Sequence, residues 1–154
     1  MSATPRYVVR DWTARDTDAL CTWFATDDTM WRYMPGIEAA PSEATLRAHL
    51  AERLAQHARG EALVLAIGTA DDVVLAGQFI LHPLLGAEGN CHLLVAPRHQ
   101  GHGVAVARCG IQAAQARGVR KIIGIPSSKL PMDVYLRFMR RVGFTIRFYG
   151  EIQA

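Results

Sequence analysis

The residues best suited to chemistry crowd into one short stretch: His92, Arg98, His99, Gln100, Gly101, His102 and Gly103. Leu93-Leu94-Val95 is apolar and partly β-branched, as suits a buried strand. Pro97 cannot donate to a ladder and ends it. Gly101 and Gly103 permit backbone conformations and close approaches that side chains would block. From Val104 onward the chain is Ala-rich and reads as a helix. A helix opening on such a turn presents unpaired N–H groups and the positive end of its dipole. That is an anion site, and its natural ligand is a phosphate. His99 and His102 flank the turn, either aiding the anion or simply exposed.

Charge agrees with this reading. The net charge is +3, yet from Arg98 onward the chain holds 10 of its 17 basic residues and only 2 of its 14 acids. A positive field there favours a phosphate-bearing ligand. It would also attract nucleic acid, although no motif ties the chain to one. A length of 154 residues implies a single domain, 1–154, able to bury a core. No apolar run reaches membrane-spanning length and no signal-peptide core opens the chain, so a cytoplasmic protein without membrane contact is expected. Cys21, Cys91 and Cys109 are odd in number and far apart, which implies reduced thiols and no metal site.

The elements that must position the turn follow from patterning. Residues 7–9 read as a first strand. Asp16 or Thr17 is expected to cap a helix with the stripe Leu20, Trp23 and Phe24. Residues 31–36 form an aromatic loop. Ser42 caps a second helix, whose face is Leu46, Leu50 and Leu54 and whose stop is Gly60. His49 and His57 on it read as surface or packing residues. Strands are expected at 62–67 and 73–81, joined as an antiparallel hairpin, with His82-Pro83 ending the second. A loop spans 84–89, and a strand at 90–95 feeds the turn. The next helix buries Val104, Ala107, Ile111 and Ala114 and ends at Gly118. A strand at 119–125, a loop, a helix from Pro131 to about Arg141 capped by Gly143, and a strand at 144–149 complete the chain.

Arg98-x-x-Gly101-x-Gly103, preceded by Val95-x-Pro97, resembles the pyrophosphate turn of the GNAT acyl-CoA N-acyltransferases. Val142-Gly143-Phe144 is similar to that family's usual closing run, and the likeness covers residues 62–149. It implies an α/β fold of one domain: a mixed, mostly antiparallel sheet flanked by about four helices, with strands 4 and 5 splayed to hold CoA. It further implies that N–H groups from Gln100 through Gly101, His102, Gly103 and Val104 to Ala105 hold the pyrophosphate, with charge from Arg98. Leu93, Leu94 and Val95 would pair through main-chain atoms with the pantetheine arm, and Ser127 and Ser128 would hydrogen-bond it. The segment between the first two helices borders the acceptor pocket in this architecture. Trp31, Tyr33 and Met34 therefore line the acceptor or pack a lid.

The amine acceptor must lose a proton. His92 is the first candidate base, on the strand beside the thioester, with a pKa suited to neutral pH; small phage-encoded GNAT-like proteins look similar here. Glu88 is the second. The family's usual acid, a Tyr four residues before the Gly-Phe close, falls on Met139, and its usual Asn falls on Met132. Methionine can do neither job. Tyr135, one turn earlier on the same face, is the candidate substitute acid; without an acid, the thiolate would leave unassisted.

The resemblance thus implies an N-acetyltransferase that takes acetyl-CoA as donor and moves the acetyl group directly to an amine of a small molecule or protein. The alternatives are a GNAT-like transferase acting on a nucleobase or nucleotide, and a non-catalytic module that binds CoA or a partner. Either a monomer or a homodimer is compatible.

Overall fold

The computed structural model describes residues 3–34, 37–71, 74–127 and 129–145. Five strands form one sheet in chain order: β1 (Tyr7–Arg10), β2 (Leu63–Thr69), β3 (Leu75–Leu85), β4 (Glu88–Val95) and β5 (Lys121–Gly124). The first four run antiparallel, and β5 is parallel to β4. The helices are α1 (Ala14–Thr26), α2 (Glu43–Ala58), α3 (Gly103–Ala116) and α4 (Met132–Val142), with short 3-10 helices at Met30–Tyr33 and Pro97–His102. This is the expected mixed, mostly antiparallel α/β class.

The sheet has two packed faces because side chains alternate along each strand. On one, Leu20 and Trp23 of α1 and Leu50 of α2 meet Ala66, Leu75 and Leu94. On the other, Val106 and Ala114 of α3 meet Leu65, Ile67, Phe79 and Leu81. Two glycines let α3 lie close to the sheet. A Cβ on Gly110 would drive into the Phe79 ring, and one on Gly77 would stand 2.5 Å from Val106 Cγ1. The α3 face differs from expectation for this reason. Gly110 seats the helix over Phe79, and Val106, Ala107, Gly110 and Ala114 are buried, while Val104 and Ile111 are partly buried, Ile111 packing against the same cluster.

Several boundaries also differ. α1 starts three residues early, because Thr13 is its N-cap and Asp16 its capping-box partner: the Thr13 N–H and hydroxyl both donate to Asp16 Oδ2. Asp16 is buried, and burial alone would raise its pKa. Hydrogen bonds from Arg10 and Thr13 instead hold the carboxyl below its ordinary value. α2 is capped as expected, with Ser42 Oγ accepting the Thr45 N–H and Gly60 at φ +77° beyond its end. β3 does not stop at His82-Pro83. It runs on to Leu85 through that cis peptide, with an irregularity opposite Asn90, and turns back at Gly86 (φ +61°). Residues 84–89 are thus largely hairpin, not loop. β5 begins at Lys121, since Val119 N–H still bonds the α3 carbonyl of Ala114. Phe144 N–H closes α4 on Met139 and Phe144 is not in a strand; residues 146–149 of the expected last strand lie outside the described residues.

Candidate active site

β4 and β5 pair only from Glu88↔Lys121 to Cys91↔Gly124. β4 then continues from His92 to Val95 while β5 has ended. Along that stretch β4 is bonded to β3 on one side, and its other edge faces a cleft of about 370 Å³. Cys91, His92, Leu93 and Val95 line it from β4, Gly103, Ala107 and Ile111 from α3, and Tyr135, Phe138 and Met139 from α4. A strand edge free on one side invites an extended chain to add main-chain hydrogen bonds. Gly124 keeps the cleft open: a Cβ there would lie 2.7 Å from the Tyr135 hydroxyl and collide with Met139.

The expected anion turn is a 3-10 helix leading straight into α3. Neither Gly101 nor Gly103 has positive φ, so close approach, not a left-handed turn, explains Gly103. A Cβ on Gly103 would stand 3.3 Å from the Phe138 ring, whereas one on Gly101 would meet nothing within 4 Å. No side chain caps either helix start. The Gly103 N–H donates to Gln100 O, and Val104 and Ala105 follow in the first turn of α3. Arg98 is exposed at this end. Gln100 borders the cleft and donates to Met30 Sδ at 3.6 Å. His99 is hydrogen-bonded to the Tyr7 hydroxyl at 2.9 Å, and His102 lies tilted against the same ring at 6.3 Å.

His92 borders two cavities, the large cleft and a smaller one of about 100 Å³ between β3, β4, α1 and α2. Its Nε2 donates to the His82 carbonyl at 3.3 Å, since a carbonyl only accepts. Nδ1 is then the lone-pair nitrogen. Burial is the main cause that lowers the His92 pKa, so the ring is neutral at neutral pH and able to accept a proton. Tyr135 lines the large cleft; burial and the nearby Cys91 push its phenol up to about 12, so it holds its proton. Burial likewise keeps the Cys91 thiol protonated, at about 12. Glu88 stands apart from these groups. It opens β4, pairs with Lys121 at 3.3 Å, and lines neither cavity. Met132 is exposed.

The 3-10 helix Met30–Tyr33 forms one wall between the cavities. Tyr33 lines both and Met34 the smaller, whereas Trp31 lines neither; the Arg32 guanidinium and the Lys129 ammonium stand 5.9 and 5.7 Å from its ring. Ser127 lines the large cleft and donates to the Arg32 carbonyl at 2.6 Å, and Lys129 Nζ donates to the carbonyls of Met34 and Ile37 at 2.9 and 2.6 Å. Ser128 lies outside the described residues. Leu94 turns from the cleft into the smaller cavity.

Sequence reading missed three residues of that cavity: Gln78, His49 and Arg53. Gln78 carried a signal, as the lone polar residue in Leu75-Ala-Gly-Gln78-Phe-Ile-Leu81. His49 and Arg53 are four apart on α2, beside the Leu46 and Leu50 face.

A family model described as an acetyltransferase (GNAT) domain matches residues 6–129. No curated protein matches the sequence. Among solved structures, RimL, a ribosomal L7/L12 alpha-N-protein acetyltransferase in complex with coenzyme A, superposes with a TM-score of 0.73 at 16% identity, covering 95% of this chain and 83% of its own. The microcin C7 self-immunity acetyltransferase MccE, in complex with acetyl-CoA and AMP, gives 0.69 at 14% identity over 91% and 79%. A chimera of the spermidine N-acetyltransferase SpeG from Vibrio cholerae and hSSAT gives 0.66 at 14% over 93% and 83%. At these identities the likeness is one of fold. Among the described residues, no helix is long and apolar enough to cross a membrane.

Proposed function

Because the chain belongs to the GNAT acetyltransferase family, we propose that it moves an acetyl group from acetyl-CoA straight to an amine, with no covalent enzyme intermediate. The observation that carries this reading is the meeting of two cavities at His92, Leu93 and Tyr33. The large cleft has the shape and strand edge for the pantetheine arm, and two neighbours of the same fold hold CoA or acetyl-CoA. The pyrophosphate then sits at the start of α3, near Gly101, where a side chain would meet open space. The acceptor enters from the smaller cavity.

In this mechanism the amine nitrogen attacks the thioester carbon. The C–N bond forms, and the C–S bond breaks as the tetrahedral intermediate collapses. A β4 backbone N–H on the open edge stabilises the oxyanion. His92 Nδ1 takes the proton lost by nitrogen, and the Tyr135 hydroxyl donates one to the departing thiolate. Holding both substrates side by side supplies much of the rate. The protonated Cys91 thiol favours direct attack over a route through an acyl-cysteine. Glu88 has no part in this scheme, given its distance along β4 and its Lys121 partner.

The test is thermal stabilisation by acetyl-CoA. Wild-type protein should melt higher with acetyl-CoA, and Gly103→Glu, which puts bulk and negative charge against Phe138, should abolish the shift. No shift in the wild type overturns the proposal.

A further inference from the structure

Gln78 is 5% exposed, yet its side-chain Nε2 has no hydrogen-bond partner among the described residues, and it lines the smaller cavity. Buried amide donors almost always have partners, so an orphan bordering empty space marks where a ligand acceptor belongs. The other polar groups on that wall have the same preference. Arg53 is half-buried, its Nη1 donates to Gln56 Oε1, and no carboxylate is paired with it among the described residues. His49 lies one turn before it, with a pKa lowered by burial and by the Arg53 charge. Among the described residues no acidic side chain lines the cavity; Glu52, beside Arg53, is exposed. A cationic chain would meet the Arg53 charge here and no carboxylate among the described residues.

The sheet register fixes the spacing of this wall to the reacting centre. Gln78 is paired with Leu94, and His92 is two residues along the same face of β4. Diagonal neighbours of this kind stand about 7–8 Å apart, and somewhat less at Cβ. A ligand bridging the two therefore needs an amine and a hydrogen-bond acceptor only a few bonds apart. Apart from Tyr33, the remaining lining, including Leu20, Phe24 and Ile80, is apolar, and a space of about 100 Å³ admits a small molecule.

We propose that the acceptor is a small amine bearing a carboxylate beside the nitrogen, of the α-amino acid type, its carboxylate held by Gln78 and Arg53 and its amine presented to His92. This rests on the acetyl-transfer reading above, and the test separates the two. Binding of the standard L-α-amino acids, their C-terminal amides and spermidine is measured by calorimetry on the protein alone and again with CoA. Thiol release from acetyl-CoA is then followed for each compound. Amino acids with short or apolar side chains should bind and turn over, their uncharged amides should bind roughly 10- to 100-fold more weakly, and spermidine should do neither. Arg53→Gln and Gln78→Leu should each raise KM for the amino acid roughly 10- to 100-fold with kcat little changed, and Gln78→Glu should abolish its binding. Stabilisation by acetyl-CoA, unchanged in each variant, shows that the variant is folded. Turnover of spermidine or amides as good as that of amino acids overturns the proposal, as does an unchanged KM in both Arg53→Gln and Gln78→Leu. Amino-acid binding without any acetyl-CoA binding would instead sink the transfer reading and leave the recognition site standing.

Discussion

The two cavities that meet at His92 are built in different ways. The large cleft draws most of its wall from one continuous part of the chain, from Cys91 through α3 and β5 to Phe144, with Tyr33 and Phe79 the contributions from outside. The smaller one is assembled from α1, the segment at 33–37, α2, β3 and β4, so its residues lie as far apart as Leu20 and Leu94. A site made by a strand, a helix start and a neighbouring strand is set by local backbone geometry, and it tolerates many side chains. A site made by side chains from five elements is set by tertiary packing and can change its ligand one residue at a time. On the acetyl-transfer reading proposed above, donor binding and acceptor choice would rest on separate physical foundations, and three substitutions and two pH series probe that separation.

The largest effect should come at the junction. His92→Ala is expected to lower kcat/KM by roughly 10²–10⁴-fold while leaving acetyl-CoA stabilisation intact; an unchanged rate would remove the base assignment. Tyr135→Phe acts on the donor side alone. It should reduce kcat by about 10- to 100-fold, the worth of a hydrogen bond to a charged leaving group, without moving KM for the amine. Steady-state rates in both substrates separate these effects. A pH series comes next. His92 must be neutral to act, and burial lowers its pKa, so the acid-side fall in kcat/KM that it governs should be centred below 6.5. Stability should follow a related course. Burial lowers the pKa of His49, His82 and His92. Below 6.5 the unfolded chain therefore binds protons that the folded one refuses, and stability is lost as pH falls through the folded values. Urea midpoints against pH would check this. The smallest effect is expected from Ser127→Ala. It removes the bond to the Arg32 carbonyl, costing about 1 kcal/mol in urea unfolding.

What the sequence disclosed divides along the same line. Ser42, the Leu46–Leu50–Leu54 spacing and Gly143 are local signals, and the structure has the cap, the buried stripe and the left-handed Gly at φ +112°. The strand, turn and helix around Val95 were legible because the ladder break at Pro97 and the Ala-rich run are local too. Gln78 could be noticed as odd but not understood, since its meaning depends on Leu94 across the ladder and on α2 above it. The extension of β3 through His82-Pro83 was hidden by the usual effect of proline on strands. The α3 spacing marks Val104 and Ile111 with Ala107 and Ala114, and Ile111 does pack against the core, but the close seating of Gly110 on Phe79 depends on a contact across the sheet that this spacing does not carry.

Ser127 and Lys129 hold the carbonyls of Arg32, Met34 and Ile37, more than ninety residues upstream. Ser127 at the large cleft and the residues bordering the smaller cavity are therefore tied along one seam. Free-energy linkage runs equally in both directions across such a seam. If the two cavities take the two substrates as proposed above, ordering imposed on one side of the seam would be returned as affinity on the other, through main-chain carbonyls that no side-chain substitution in the 32–37 segment removes.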